Sequence, residues 1–322
     1  MEVKNTMTET MDEEKKSTLE KLREIVMAEL KEHYEDDLDI KEINVVKNNG
    51  PELCGIGVGK KDSNILATFY MDRFIEDYLD GVATVQKIAE FMVDHASKDM
   101  PDLGNVLDKL KTYEEIKNRI IPALVNYEAN RNELEKRPYK PFLDLAVTLC
   151  LDLHAECEGK INISNKILDI WGVDEQEVFK QAYQNLASRK DIWVKDIFSV
   201  LHEAWLQEGI PEDVPDERIP LYVVTNHKKY WGSILMTDPN VLGIIAEKLG
   251  CGFKIFPSNV HELLVLPDSE DVSDEENHFS AKDVAEINKT VVAVEERLSN
   301  SIYHYDKETG EVSICEQGEP LR

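Results

Sequence analysis

Leu19, Leu22, Val26 and Leu30 recur at three- and four-residue spacing with charges between them, so the pattern predicts an amphipathic helix. Ser17 and Glu20 open it as a capping box and it should run to about His33. Residues 1–16 are too polar to bury a face and are expected to form a disordered leader. The period then drops to two: Leu38–Lys47, Glu52–Lys60 and Ile65–Tyr70 are predicted strands, the first two joined by the turn residues Asn48-Asn49-Gly50-Pro51. Helical spacing returns over Met71–Leu79 and Val82–His95, where Val85, Ile88, Ala89, Met92 and Val93 mark a buried stripe. Thr112 and Glu115 start a short helix, and Arg119–Tyr127 follows as a strand that Pro122 confines to an edge or bulge.

The charged run Arg131–Lys140 with Pro138 and Pro141 is the best place for a boundary. It separates a subdomain of residues 17–137 from one of residues 138–322. In the second, Phe142–Ala155 is expected as one long strand turning through Glu158-Gly159 onto Lys160–Ile163, followed by helices at Ser164–Trp171 and Asp174–Ala187. Val194–Gln207 has helical period, and the prolines and acids of Gly209–Pro220 predict an exposed loop. A hairpin is expected from Leu221–Thr225 and Tyr230–Met236, then a helix from Asp238-Pro239 to Leu249, stopped by Gly250. Strands Gly252–Phe256 and Glu262–Leu266, a helix after Ser280 bearing Val284, Ile287, Val291 and Val294, and a hairpin of Ile302–Tyr305 with Glu311–Cys315 complete the chain. Strands adjacent in sequence and joined by turns favour an α+β fold with mixed, mostly antiparallel sheets.

Charge narrows the partners. The 322 residues carry 37 Lys+Arg and 64 Asp+Glu, a formal charge of −27. Nucleic acid is held by basic patches that displace counterions, so neither nucleic acid nor an anionic membrane surface is an expected partner. At 42% hydrophobic the chain still has the means to bury a core. No signal-peptide core opens the sequence and no stretch is long and apolar enough to span a bilayer, so a cytoplasmic protein is expected. Five cysteines, Cys54, Cys150, Cys157, Cys251 and Cys315, are odd in number and lack a C-x-x-C pair, which predicts reduced thiols. Cys150 and Cys157 could meet across a hairpin, but small buried residues are the plainer reading.

Most catalytic patterns fail on spacing. Gly55, Gly57 and Gly59 before Lys60-Lys61 have three residues where a phosphate loop needs four and no hydroxyl after the lysine, so they predict close backbone approach in a strand. His202-Glu203 and His261-Glu262 lack a second histidine four residues on, where Leu206 and Val265 stand. The acidic loop Asp268–Glu276 lacks the glycine and ligand rhythm of a calcium hand, and no nucleophile elbow occurs. No metal or cofactor is expected. The most site-like grouping is Thr225 and Asn226 at one strand end with Ser258, Asn259, His261 and Glu262 at a corner. His261 would be the general base, with Glu262 orienting it or helping to bind a metal, Ser258 beside them, and Thr225, Asn226 and Asn259 holding a ligand. The competing reading is that these groups satisfy turn amides. Tyr222, Tyr230, Trp205 and Trp231 read as core in preference to an interface patch.

Leu221-Tyr222-Val223-Val224-Thr225-Asn226, Ile255-Phe256-Pro257-Ser258-Asn259-Val260-His261-Glu262, Glu295-Glu296-Arg297-Leu298-Ser299 and Tyr303-His304-Tyr305 resemble an uncharacterised family of Firmicutes proteins known as a domain of unknown function. The similarity extends from about Ser17 and is most specific in the last hundred residues. It implies a bacterial, cytoplasmic setting and brings no activity, cofactor or catalytic residue. Ser188–Pro220 follows the pattern poorly, so a role there would be particular to this protein. Two functions follow. One is a non-catalytic acidic protein that regulates or inhibits a basic protein partner, with Asp268, Glu270, Asp271, Asp274, Glu275 and Glu276 as its contact loop; the other is a hydrolase-like enzyme built on Ser258, His261 and Glu262. Oligomeric state is left open.

Overall fold

The structure is a computed structural model, and it describes every residue except 1, 51, 62–65, 99–107, 154–158, 190–191, 209–219, 258, 269–278 and 322. Ser258, Cys157, the acidic run 212–217 and five of the six acidic residues expected to form a contact loop, Glu270 to Glu276, lie outside the described residues. The fold is α+β. The chain divides into two compact units, residues 1–47 with 51–108 and residues 48–50 with 109–322.

In the first unit, α1 (Glu2–Tyr34) begins well before the expected capping box and continues through the segment expected to be a disordered leader. Three antiparallel strands, β1 (Leu38–Val46), β2 (Glu52–Lys60) and β3 (Ala67–Tyr70), stand in that order. The short α2 (Ile75–Leu79) and α3 (Val85–Lys98) follow. Leu22, Val26 and Leu30 from α1 meet Ile56 and Val58 of the central strand and Ile88 and Met92 of α3 in one core, as the two periodicities require. The glycines of β2 let its neighbours close in: a Cβ on Gly55 would stand 3.0 Å from the Phe69 carbonyl oxygen. This is the close approach that the failed phosphate-loop spacing predicted.

The second unit holds two sheets. In one, β4 (Ile120–Asn126) and β5 (Tyr139–Phe142) flank β6 (Leu145–Asp152), and β7 (Lys160–Asn162) pairs with the end of β6. Pro122 does lie on an edge strand, β4. The boundary expected at 137/138 falls inside this sheet. Pro138 and Pro141 belong to the approach and body of β5, an edge strand where a missing N–H costs no ladder bond. The long strand expected from Phe142 breaks at Leu143, whose φ of 56° turns the chain between β5 and β6. The helices α4 (Asn165–Trp171) and α5 (Glu175–Ser188) come next. Asp174 caps α5 by accepting from the Gln176 amide, and buried Val178, Phe179 and Ala182 form its inner face.

The other sheet is built from β8 (Trp193–Asp196), β9 (Tyr222–Thr225), β10 (Phe253–Phe256), β11 (Leu263–Pro267), β12 (Ile302–Tyr305) and β13 (Val312–Glu316), in the order β13-β12-β10-β11-β9-β8. Three helices connect these strands: α6 (Ile197–Glu208), α7 (Pro239–Leu249) and α8 (Ala281–Val291). Gly250 ends α7 at φ 84°, and Ser280 with Asp283 forms the capping box of α8. Two expectations change. Trp193–Asp196 precedes α6 as a strand, and Tyr230–Met236 is no strand but gives way to a 3-10 helix, Gly232–Thr237. Of the stripe expected on the last helix only Val284 is buried, while Val291 is 78% exposed. No helix of the described residues is long and apolar enough to cross a membrane.

Candidate functional site

The corner singled out by sequence assembles in the second unit, and its groups are consumed by their own turns. Asn259 Oδ1 accepts the amides of His261 (2.7 Å) and Glu262 (3.0 Å), the geometry of an Asx turn. Asn226 Oδ1 accepts the Tyr230 amide and its Nδ2 donates to the Tyr230 carbonyl, closing the loop after β9. Thr225, fully buried, donates through Oγ1 to the His261 carbonyl at 2.7 Å. His261 Nδ1 accepts the Trp231 amide at 3.3 Å, which leaves the proton on Nε2, 3.6 Å from Glu296 Oε1. Glu262 turns toward Asn259 Nδ2 instead of the imidazole. The carboxylate beside the expected general base is thus Glu296, not Glu262.

Gly232 explains why the chain departs from a hairpin here. A Cβ at that position would stand 2.2 Å from Thr225 Oγ1 and 2.6 Å from the His261 carbonyl oxygen. The backbone instead rises through Lys229 and Trp231, at φ 51° and 55°, so that the Gly232 amide donates to the His261 carbonyl at 2.9 Å. Two left-handed non-glycine residues so close together cost conformational energy that the surrounding hydrogen bonds must offset. Asp268, the one described member of the expected acidic contact loop, is paired with His304 Nε2 at 2.7 Å.

The same loop forms one wall of a cavity of about 70 Å³ within this unit, several times the roughly 10–15 Å³ that one water requires. Its lining is mainly apolar: Ile121 and Pro122 of β4, Leu186 of α5, and Ile234, Leu235 and Val241 beyond the loop. Lys160, the first residue of β7, and Trp231 bring the chemistry. The Lys160 ammonium sits 3.0 Å from the centre of the Trp231 ring, a cation–π contact. Desolvation of the amine lowers its pKa to about 8, with Arg137 acting in the same direction and Cys150 opposing. Asp152, opposite Lys160 across β6 and β7, receives Arg189 Nη2 at 2.8 Å and Lys228 Nζ at 3.8 Å. Trp231 Nε1 is buried without an acceptor among the described residues.

Sequence alone gives no sign of Lys160, because the ring and the apolar wall that define its surroundings come from segments up to eighty residues away. Trp231 carried a signal only as one aromatic among several. For a cation, the described residues bring His, Cys, Asp or Glu ligand atoms close together at Glu29, Glu32 and His33, which form an acidic patch on the outer face of α1 of the kind common without an ion.

No curated protein and no solved structure matches the chain. The profile of one family matches residues 19–307, a span that takes in both the polar corner and the Lys160 cavity; the chain belongs to the family of unknown function DUF5688.

Proposed function

We propose that the protein acts by binding rather than by catalysis, in the cytoplasm of a bacterium of Firmicutes type, and that its partner is a basic protein which it regulates or inhibits. The excess of 27 acidic residues carries this reading. Such a surface steers a basic partner into encounter and repels nucleic acid and anionic lipid. Support also comes from the corner: Asn226, Asn259 and Thr225 spend their hydrogen bonds on backbone that would otherwise be unsatisfied. The test is recovery of the tagged chain from its host across a salt series. Partners held at low salt should be released as the Debye length falls from about 10 Å at 0.1 M to about 3 Å at 1 M. Capture that persists unchanged to high salt overturns the electrostatic mode.

The second reading, a hydrolase-like enzyme at Ser258, His261 and Glu262, has one observation in its favour. The His261 side chain is a quarter exposed and approaches a carboxylate, Glu296, at 3.6 Å, as a general base with an orienting partner would. Replacing His261 by alanine decides it: a lost host phenotype at unchanged stability supports the enzyme, and an unchanged phenotype removes it.

A further inference from the structure

We propose that the cavity between Lys160 and Trp231 is a binding site for a small monocarboxylate with an apolar tail, the carboxylate being received by the Lys160 ammonium. This site is independent of the basic-partner reading.

An ammonium group has three N–H donors and no acceptor capacity. Among the described residues that of Lys160 has neither a hydrogen-bond acceptor nor a carboxylate of its own; its partner is the face of Trp231. A ring face stabilises the charge but accepts none of the donors in the way an oxygen does. Lys160 is half-buried, and holding a charge partly out of water on these terms is costly; an incoming carboxylate supplies what the fold withholds. Asp152 is placed across the strand pair but directs its carboxylate to Arg189 and Lys228. The Trp231 indole Nε1 is itself buried without an acceptor among the described residues.

The rest of the cavity selects the class of ligand. A phosphate requires several converging donors, usually arginine or the open amides of a helix start. Here the nearby helix start is closed: Asp238 lines the cavity and caps α7, accepting the Asn240 amide at 3.0 Å. Its charge opposes a dianion. Arg189 and Lys228 also line the cavity but are drawn to Asp152, so the Lys160 ammonium, with Ile121, Ile234 and Val241 in the same lining, suits one carboxylate and a short hydrocarbon tail.

The charge state of Lys160 sets the pH dependence. The ammonium is facing Trp231 from the loop, with Cys150 of β6 and Arg137 before β5 acting on it electrostatically. Asp152, Arg189, Lys228, Asp238 and Tyr230 line the same cavity. The His261 ring lies 5.8 Å from the Trp231 ring, centre to centre. Burial pushes the Cys150 thiol up, so it stays neutral over the range that matters. Loss of the Lys160 proton near pH 8 should therefore dominate, weakening carboxylate binding about tenfold between pH 7 and pH 9.

Titration calorimetry on the full chain tests this with isovalerate, isovaleramide and inorganic phosphate as probes. Isovalerate should bind at least tenfold more tightly than its uncharged amide, phosphate should not bind, and affinity should fall with pH as stated. Lys160→Met should bind acid and amide alike. Lys160→Arg, whose guanidinium does not titrate in this range, should keep the preference for the acid and lose the pH dependence. The proposal is overturned if the wild-type chain treats acid and amide alike, if phosphate competes for the site, if Lys160→Met leaves the preference intact, or if isovalerate shows no saturation at tens of millimolar.

Discussion

Lys160 holds a charge where a charge is costly, and the cost is measurable as stability. Its pKa lies at about 8 in the fold against 10.5 for the free side chain, a difference of about 3 kcal/mol at most. A lysine depressed in this way burdens the native state while both states are protonated, below about pH 8. The burden lifts as pH climbs toward 10.5, because the unfolded chain then binds the proton more tightly than the native one. Lys160→Met should accordingly be more stable than the wild type at pH 7, and the gap should close by about 2 kcal/mol by pH 9.5 in paired urea titrations. A gap that does not change with pH would show that the Trp231 ring holds the amine at its ordinary pKa. Two glycines test the backbone in opposite directions. Gly232→Ala drives a methyl into Thr225 Oγ1 and the His261 carbonyl and should cost about 1–3 kcal/mol. Gly243→Ala, inside α7 with its nearest neighbour 3.9 Å away at the Tyr305 hydroxyl, should add about 0.5–1 kcal/mol. Thermal unfolding of both variants checks the contrast. At this scale the corner residues could be found in the sequence because turn chemistry is local, whereas Lys160 could not, since a lysine at a strand start is ordinary until the Trp231 ring is placed against it.

Elements show the same division between local and distant causes. The helices α5, α7 and α8 announce their ends through Asp174, Asp238 with Pro239, Gly250 and Ser280, so their limits were legible. The β5–β6 turn was not. Phe142–Ala155 has no glycine at the bend, and Leu143 adopts φ 56° because the next residue is tied down by a segment more than 150 positions later. Asp144 Oδ2 accepts the hydroxyls of Ser299 (2.9 Å) and Ser301 (3.0 Å), and its Oδ1 accepts that of Tyr303. All three donors are almost fully buried. Burial, and after it the Asp144 carboxylate, raise the Tyr303 pKa, so its phenol stays protonated well past the ordinary range. Asp144→Ala strands three buried hydroxyls and should lose about 2–4 kcal/mol in urea denaturation. Asp144→Asn, which keeps one acceptor oxygen, should lose less; equal losses would mean that the charge rather than the hydrogen bonds fixes the turn. The β8 strand was missed for a related reason. Trp193–Asp196 runs directly into α6, and a four-residue strand beside a helix shows its period only once β9 lies alongside it.

At the scale of the whole molecule a charge of −27 acts on folding and on association with opposite sign. Like charges on one surface repel, and this self-repulsion is weaker in the expanded unfolded chain, so it lowers stability. Salt screens it. The described residues also carry exposed ion pairs such as Lys16–Glu52 and Arg131–Glu128, but isolated surface pairs contribute at most about 1 kcal/mol each and lose that in salt. With 64 acids against 37 bases, at least 27 acids have no base to pair with, and repulsion should win. The midpoint of thermal unfolding should rise as sodium chloride goes from 0.02 to 0.3 M. Over the same interval the association rate with a basic protein partner should fall at least about tenfold, since steering by opposite charge is lost as the Debye length shrinks. Scanning fluorimetry gives the first quantity and stopped-flow mixing the second. If the association rate does not fall with salt, the acidic surface is not what brings the partner in, and if the unfolding midpoint falls, self-repulsion is not what limits stability. A stability that climbs with salt while association slows ties the two effects to the same charges.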